Sequence, residues 1–356
     1  MSSPIWLNLH YDFRLNGIQY SAEDLGEVGY SLIKEGEPFE VSMGEFFLDW
    51  ISPKEELSVS TSGSTGKPKT IMIRKEWMIN SARATGNYFN LESGDKALLC
   101  LPCTSIAGKM MLVRAMVLGL HLDYVEPTAN PLEFQQKTYD FVAMVPLQVK
   151  NALEKLSKVK KLIIGGAPMS EGLKKELQKA SGKVYETYGM TETVSHIAIR
   201  DLNQNKHYFQ ALPNVKFSQD ERGCLVIHAP KLTHQQVETN DLVELIDETR
   251  FIWLGRHDGI INSGGIKLIP EQIEQKLALV IPSRFFISGL PDENLGERLV
   301  LVVENIKCDK VKLMEQIKRL KGLDKYEVPR EIICLETFAE TTTGKIQRDK
   351  TLALIV

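Results

Sequence analysis

Between Lys75 and Gly189, short apolar runs alternate with stretches whose apolar residues recur at helical spacing. Residues 97–101, 121–125, 141–145, 161–164 and 184–188 read as strands, and 107–118, 147–156 and 171–180 read as helices. That rhythm predicts β-α-β units and therefore a mostly parallel sheet. From 196 to 254 the pattern changes to short strands separated by turn residues, as where Asp220-Glu221-Arg222-Gly223 precedes the run Cys224-Leu225-Val226-Ile227-His228. This section is predicted to be antiparallel. Beyond Gly255, β-rich pieces at 285–288, 299–304 and 331–335 mix with helical stretches at 271–279 and 311–321. The predicted fold class is α/β: a large N-terminal domain, residues 1–257, with a mostly parallel sheet plus an antiparallel β section, and a small α+β C-terminal domain, residues 258–356.

Composition narrows the function classes. A chain of 356 residues, 43% hydrophobic and 25% charged, can bury a sizeable core and matches neither a disordered nor a fibrous protein. A net charge of −3 gives no long-range positive field to gather nucleic acid, so none is expected as a partner. The start, Met1-Ser2-Ser3-Pro4-Ile5-Trp6, lacks the basic and apolar regions of a secretory signal. The most apolar stretch, 110–122, is interrupted by Arg114 and is too short to cross a bilayer. These features predict a cytoplasmic protein with no stable membrane insertion. The five cysteines, at 100, 103, 224, 308 and 334, are odd in number and scattered, which fits a reducing compartment better than a disulfide framework. Cys100 and Cys103 have redox spacing, but they sit at the end of a predicted buried strand rather than opening a helix, and read as small core residues.

Six segments can carry chemistry. Thr61-Ser62-Gly63-Ser64-Thr65-Gly66-Lys67 packs hydroxyls, glycines and an ammonium into a loop able to converge on a polyphosphate. It is not a Walker loop, because only Ser64 and Thr65 separate Gly63 from Gly66 and Pro68 stands where a Ser or Thr is needed. Alone, it would read as a solvated linker. Tyr188-Gly189-Met190-Thr191-Glu192-Thr193 follows the last predicted parallel strand, where open α/β sheets place ligands. Then come Asp241, the run Gly255-Arg256-His257-Asp258, the run Asn262-Ser263-Gly264-Gly265, and finally Thr341-Thr342-Thr343-Gly344-Lys345-Ile346-Gln347-Arg348. Taken singly, these would pass for a helix cap, a turn or a terminal charge.

In that order, the segments resemble the acyl-adenylate-forming superfamily, which includes acyl-CoA synthetases, the adenylation domains of peptide synthetases and firefly-type luciferases. The resemblance extends from Thr61 to Arg348. It implies a mobile C-terminal domain that rotates between two half-reactions: a carboxylate attacks the α-phosphorus of ATP and expels pyrophosphate, then the thiol of coenzyme A attacks the acyl-adenylate and expels AMP. By the same resemblance, Thr61, Ser62, Gly63, Ser64, Thr65, Gly66 and Lys67 form the loop over the β- and γ-phosphates. Gly166, in Gly165-Gly166-Ala167-Pro168, lies beside the adenine and the acyl group, and Tyr188 and Gly189 belong to the nucleotide site. Thr191 contacts the α-phosphate and Glu192 holds Mg²⁺. Asp241 accepts both ribose hydroxyls, Arg256 contacts ribose and phosphate, and Asp258 is the hinge. Gly264 and Gly265 flank the pantetheine arm, and Lys345 bridges the carboxylate and the α-phosphate. Catalysis thus falls to Lys345, Thr191 and Glu192. Asn240 stands where the family has Gly, and is expected to take the positive φ of a turn there.

Only 60 residues precede the phosphate loop, so the family's first subdomain is expected to be reduced or missing. With the series at 188–193 and 261–265, this compactness is similar to the short o-succinylbenzoate:CoA ligases of menaquinone biosynthesis. Other readings are a ligase for another aryl or short-chain acid, and a non-catalytic nucleotide-binding scaffold. o-Succinylbenzoate is a dianion, and its aromatic carboxylate needs a partner once the succinyl carboxylate is activated. Ser105 stands where relatives carry a His lining the acyl site. Lys109 and Arg114 are cations in an otherwise apolar helix, and His196 follows Glu192 closely. These four are the candidate substrate contacts; each cation could instead reach solvent, and His196 could be an ordinary strand histidine.

Overall fold

The computed structural model describes residues 4–61, 69–305, 307–340 and 346–355. Ser62 to Lys67 and Lys345 therefore lie outside the described residues. The chain forms two compact units, one from Met1–Pro168, Lys175–Lys216 and Ile227–Val237, the other from Met169–Lys174, Phe217–Val226 and Glu238–Val356.

Strands in the first unit are β1 (Arg14–Leu15), β2 (Ile18–Gln19), β3 (Glu56–Thr61), β4 (Lys69–Arg74), β5 (Lys96–Leu99), β6 (His121–Tyr124), β7 (Tyr139–Met144), β8 (Val159–Ile164), β9 (Lys183–Gly189), β10 (His196–Asp201) and β11 (Phe209–Ala211). Between them come helices α1 (Leu25–Lys34), α2 (Val41–Ile51), α3 (Lys75–Phe89), α4 (Ile106–Leu118) and α5 (Pro146–Asn151), while α6 (Glu171–Leu177) is divided between the two units after Lys174. The main sheet runs in the order β11-β10-β9-β8-β7-β5-β6-β1-β2. The pairs β1/β6, β5/β6, β5/β7, β7/β8 and β8/β9 are parallel, whereas β9/β10, β10/β11 and β1/β2 are antiparallel. Consecutive burial of Phe141, Val142, Ala143 and Met144 shows that β7 is covered on both faces, which is why the parallel strands read as unbroken apolar runs.

Helix α4 begins where Ser105 caps it, its Oγ accepting from Gly108 N at 3.4 Å, and ends at Gly119 with φ 74°. Eight of its thirteen residues are buried, so it is a core helix rather than an amphipathic one. Ahead of it, α1 and α2 pair, with Phe46, Phe47 and Trp50 of α2 buried. The indole of Trp50 donates to the Trp6 carbonyl (3.0 Å), and buried Lys75 at the start of α3 donates to the Ser52 carbonyl (2.8 Å) with its ammonium 4.9 Å above the Trp6 ring. The segment ahead of the phosphate loop is thus an α-hairpin plus one β-ribbon. Strands β3 and β4 pair antiparallel with Thr61 opposite Lys69, which brings the two flanks of segment 62–68 side by side.

Elements of the second unit are β12 (Lys216–Gln219), β13 (Cys224–His228), β14 (Val237–Asp247), β15 (Arg250–Arg256), β16 (Ile261–Ser263), β17 (Ile266–Leu268), α7 (Pro270–Leu277), β18 (Phe285–Asp292), β19 (Gly296–Glu304), α8 (Lys310–Lys318), β20 (Glu331–Leu335) and α9 (Arg348–Leu352). Strands β12 to β15 are neighbours in sequence order, and β14/β15 is an antiparallel hairpin. A second sheet has the order β17-β16-β19-β18, with β20 parallel to β19. Ile287, Leu299, Leu301, Val303 and Ile317 fill one core of this part.

Two expectations need correction. Asn240 lies within the extended strand β14, where no positive φ is required, and its side-chain oxygen accepts from Arg222 (3.0 Å). Cys308 and Cys334 form a disulfide, with Cα atoms 6.6 Å apart, because β20 lies along β19 and brings Cys334 beside the chain that leaves β19. Cys100, Cys103 and Cys224 are free and buried, and burial pushes the Cys100 and Cys103 thiols up to about 12, as fits core residues. Among the described residues, no helix is long and apolar enough to cross a membrane.

Candidate active site

In the first unit, Tyr188 and Gly189 end β9, and Thr191 and Glu192 lie on a single 3-10 turn, Thr191–Thr193. The turn is pinned from inside. Thr193 is fully buried, and its hydroxyl lies within hydrogen-bonding distance of Met190 N, Met190 O and Ser195 O. Val194 then takes φ 67° and ψ −50°, and Ser195 N donates to the Thr193 carbonyl at 2.7 Å. This is a γ-turn with positive φ at a β-branched residue, a strained conformation held here by burial of the side chain, which is 1% exposed. The turn brings the chain so close to β9 that a Cβ on Gly189 would lie 2.3 Å from the Ser195 carbonyl oxygen. Only glycine fits there.

Ser195 and His196 meet Arg114 of α4. The Arg114 Nη2 donates to Ser195 Oγ (2.7 Å) and lies 3.4 Å from His196 Nδ1, while its Nε donates to Thr85 Oγ1 (3.4 Å). Thr85 Oγ1 donates to the Ser81 carbonyl (3.0 Å) and lies 3.4 Å from His196 Nε2. Since the Thr85 proton is committed to Ser81, the imidazole carries its proton on Nε2 and presents a lone pair on Nδ1 to the guanidinium. Burial and the Arg114 charge both hold the His196 imidazolium well below its usual range, so the ring is neutral. Arg114 is 2% exposed and pushed down to about 9 by burial. Among the described residues it has no carboxylate partner. A cavity of about 170 Å³ lies against His196, lined also by Ser81, Ala84, Leu212, Val215 and Leu232, and the Ser81 Oγ is buried without a hydrogen-bond partner.

The other two candidate substrate contacts lie elsewhere. The Lys109 ammonium sits 5.3 Å above the Phe46 ring, with Asp49 and Glu45 near enough to offset part of the lowering that burial imposes on it. Ser105 uses its hydroxyl locally, donating to the Pro102 carbonyl (2.8 Å) as it caps α4. Gly166 has φ 82°, in the turn that follows β8. Glu192 is exposed and makes no ion pair among the described residues, and no group of three or more His, Cys, Asp or Glu gathers there as a metal cage. One free carboxylate fits Mg²⁺, an ion that keeps water and phosphate oxygens as most of its ligands.

In the second unit, Asp241 and Arg256 are opposite each other on β14 and β15. Asp241 is 7% exposed, its N–H donates to Thr239 Oγ1 (3.0 Å), and one carboxylate oxygen accepts from the Trp253 indole (3.1 Å). Arg256 forks onto Asp258 at 3.0 and 2.7 Å, and its Nη1 lies 3.9 Å from Asp241. The fork holds the Asp258 carboxyl below its ordinary range. Gly264 and Gly265, with φ 59° and 80°, form the two-residue loop between β16 and β17, which demands positive φ at both places. A Cβ on Gly265 would meet nothing within 4 Å, so the surface there is open to an approaching chain.

Sequence reasoning missed Ser195, Thr85, Val194 and Trp253. Ser195 directly precedes His196 and could have been flagged by adjacency. Thr85 carries no local signal, because its role depends on α3 lying beside α4.

The sequence profile of AMP-binding enzymes matches residues 59–219. An acyl-CoA synthetase (AMP-forming)/AMP-acid ligase II-like protein from Dyadobacter fermentans, known from its crystal structure, is 37% identical, with 93% of this chain and 98% of that one covered and a TM-score of 0.61. The 2-succinylbenzoate–CoA ligase of Listeria monocytogenes is 26% identical over 94% of this chain and 74% of its own. The fold is also that of the o-succinylbenzoate coenzyme A synthetase of Bacillus subtilis, solved with ATP and magnesium, at a TM-score of 0.73, 19% identity, and 94% and 82% coverage. The high coverage and identity with the Dyadobacter protein, joined to the AMP-binding profile, establish that this chain belongs to the AMP-forming acyl-CoA synthetase/AMP-acid ligase family.

Proposed function

We propose that the chain ligates o-succinylbenzoate to coenzyme A through an acyl-adenylate, and that Arg114 recognises the carboxylate that does not react. The carrying observation is the cation itself: a buried guanidinium with no carboxylate among the described residues, touching Ser195 and His196 just beyond the Thr191–Thr193 turn. Burying an unpaired charge costs several kcal/mol, so an anion brought by the substrate would supply the missing partner. His196, neutral and hydrogen-bonded to Arg114, orients the guanidinium, and the cavity against its ring receives the aryl body.

In the first half-reaction the succinyl carboxylate attacks the α-phosphorus and pyrophosphate leaves. Thr191 donates to the α-phosphate, Lys345 bridges it to the carboxylate, and the loop from Thr61 to Lys67 binds the departing phosphates. Glu192 would hold Mg²⁺, which compensates charge on the leaving pyrophosphate when bound. Asp241 and Arg256 bind the ribose. Rotation about Asp258 then exchanges Lys345 for Gly264 and Gly265, past which the pantetheine thiol reaches the acyl carbon.

The test compares o-succinylbenzoate with 4-oxo-4-phenylbutanoate, which lacks the aromatic carboxylate, in pyrophosphate release with and without CoA. The dianion should exceed its analogue by about 10²-fold in kcat/KM, because the analogue leaves the cation unpaired. Equal rates would exclude o-succinylbenzoate while leaving the family's chemistry intact.

A further inference from the structure

The hairpin β14/β15 is irregular at two places, and the first lies beside Asp241. Leu242 pairs with Gly255 but Val243 pairs with Trp253, so Leu254 is an extra residue on β15. In a regular hairpin Trp253 would point to the face opposite Val243, because side chains alternate with period two. The inserted residue shifts that phase by one and puts Trp253 on the face shared by Val243 and Asp241. There its Nε1–H donates to Asp241 Oδ1 at 3.1 Å.

From this juxtaposition we infer that Trp253 is the positioning residue for the ribose-binding carboxylate. The inference rests on the ribose role assigned to Asp241 above. A carboxylate that must accept from two vicinal hydroxyls needs a fixed rotamer, and Asp241 projects from a strand with the Arg256 guanidinium 3.9 Å away and the Trp253 indole in hydrogen-bonding contact. The backbone is held through Thr239, whose Oγ1 accepts from Asp241 N and donates to the Leu225 carbonyl (2.8 Å). The indole fixes the side chain. It donates to one lone pair of Oδ1, the oxygen that also faces the Arg256 Nη1 at 3.9 Å. A phenyl or aliphatic side chain at 253 would pack there without ordering the acid.

The experiment is a titration of the full chain with Mg·ATP and with Mg·2′,3′-dideoxy-ATP by calorimetry, which requires no knowledge of the acid. The unmodified protein should prefer ATP by about 10-fold or more, the scale of a hydrogen bond to a charged group. Trp253→Phe should bind dideoxy-ATP as before and lose most of the preference, whereas Trp253→His, which keeps a ring N–H, should recover part of it. Intrinsic fluorescence gives a second readout: the ATP-induced change in emission should vanish in Trp253→Phe although three other tryptophans remain. If Trp253→Phe keeps the preference, or weakens both nucleotides equally, Trp253 supports only the fold and the inference is overturned. If the unmodified protein and Asp241→Asn both show no preference, the ribose role of Asp241 fails, and the positioning role falls with it.

Discussion

Two arginines are held in opposite ways. Arg256 is part-exposed, forks onto Asp258 and has Asp241 at 3.9 Å, so its charge is balanced by carboxylates of its own chain. Arg114 is buried and surrounded by a hydroxyl, an imidazole, a second hydroxyl and the Met111 sulfur, none of which carries negative charge. A cation already paired can be shared with a ligand at little cost but selects weakly, because water and the aspartate replace whatever leaves. An unpaired buried cation discriminates strongly, because a ligand lacking the anion leaves the full desolvation cost unmet. The contrast predicts that Arg256 serves every turnover and that Arg114 chooses the acid.

The strongest way to break that contrast is Arg114→Met. It should lower kcat/KM for o-succinylbenzoate by about 10²-fold and leave 4-oxo-4-phenylbutanoate nearly unchanged, measured as pyrophosphate release. It should also raise Tm, by about 2 °C, since an unpaired buried charge is removed. A fall for both acids alike would give Arg114 a structural role. Next in size, Arg256→Met should raise the KM for ATP by about 10-fold whichever acid is supplied; an acid-dependent effect would erase the distinction between the two arginines. The pH dependence sharpens it further. Arg114 is charged below its pKa, so the dianion's advantage over the analogue should be present below about pH 9 and decline as the pH rises through that value, by about tenfold between pH 8 and pH 10. A ratio constant over that range would detach selectivity from this guanidinium. The smallest expected effect is that of Lys109→Met, which should alter the ratio by less than about twofold, because Lys109 sits over Phe46 on another side of α4.

Much of the fold was legible because the parallel strands are buried on both faces and therefore appear as apolar runs; β20 coincides with the predicted 331–335, and β5 to β9 differ by no more than two residues at either end. The α1–α2 hairpin was not foreseen, because nothing in residues 25–51 shows what its apolar face would pack against. Within the candidate site, the sequence marked Lys109 and Arg114 as equivalent oddities in one apolar helix. Five residues of helix turn the chain by about 140°, so the two project to different sides, but only neighbours in space show which side bears on Ser195 and His196. The opposite failure occurred at Asn240, where a family pattern suggested a turn and β14 simply continues. Trp253 was invisible for a further reason: its orientation depends on a one-residue slip between two strands, and register is not written in either strand alone.

The γ-turn at Val194 bears on how such a sequence can drift. Its backbone strain, of order 1–3 kcal/mol, favours replacement by glycine, whereas the buried isopropyl group contributes about 1.5–3 kcal/mol in favour of valine. The two nearly cancel, so selection for folding alone is almost indifferent at this position. If Arg114 selects the acid as proposed, acid choice is not, because Val194 sets where Ser195 and His196 meet Arg114. Val194→Gly should therefore change cellular abundance little while altering the preference among acids. Position 194 would then be a site where lineages change diet without first becoming unstable.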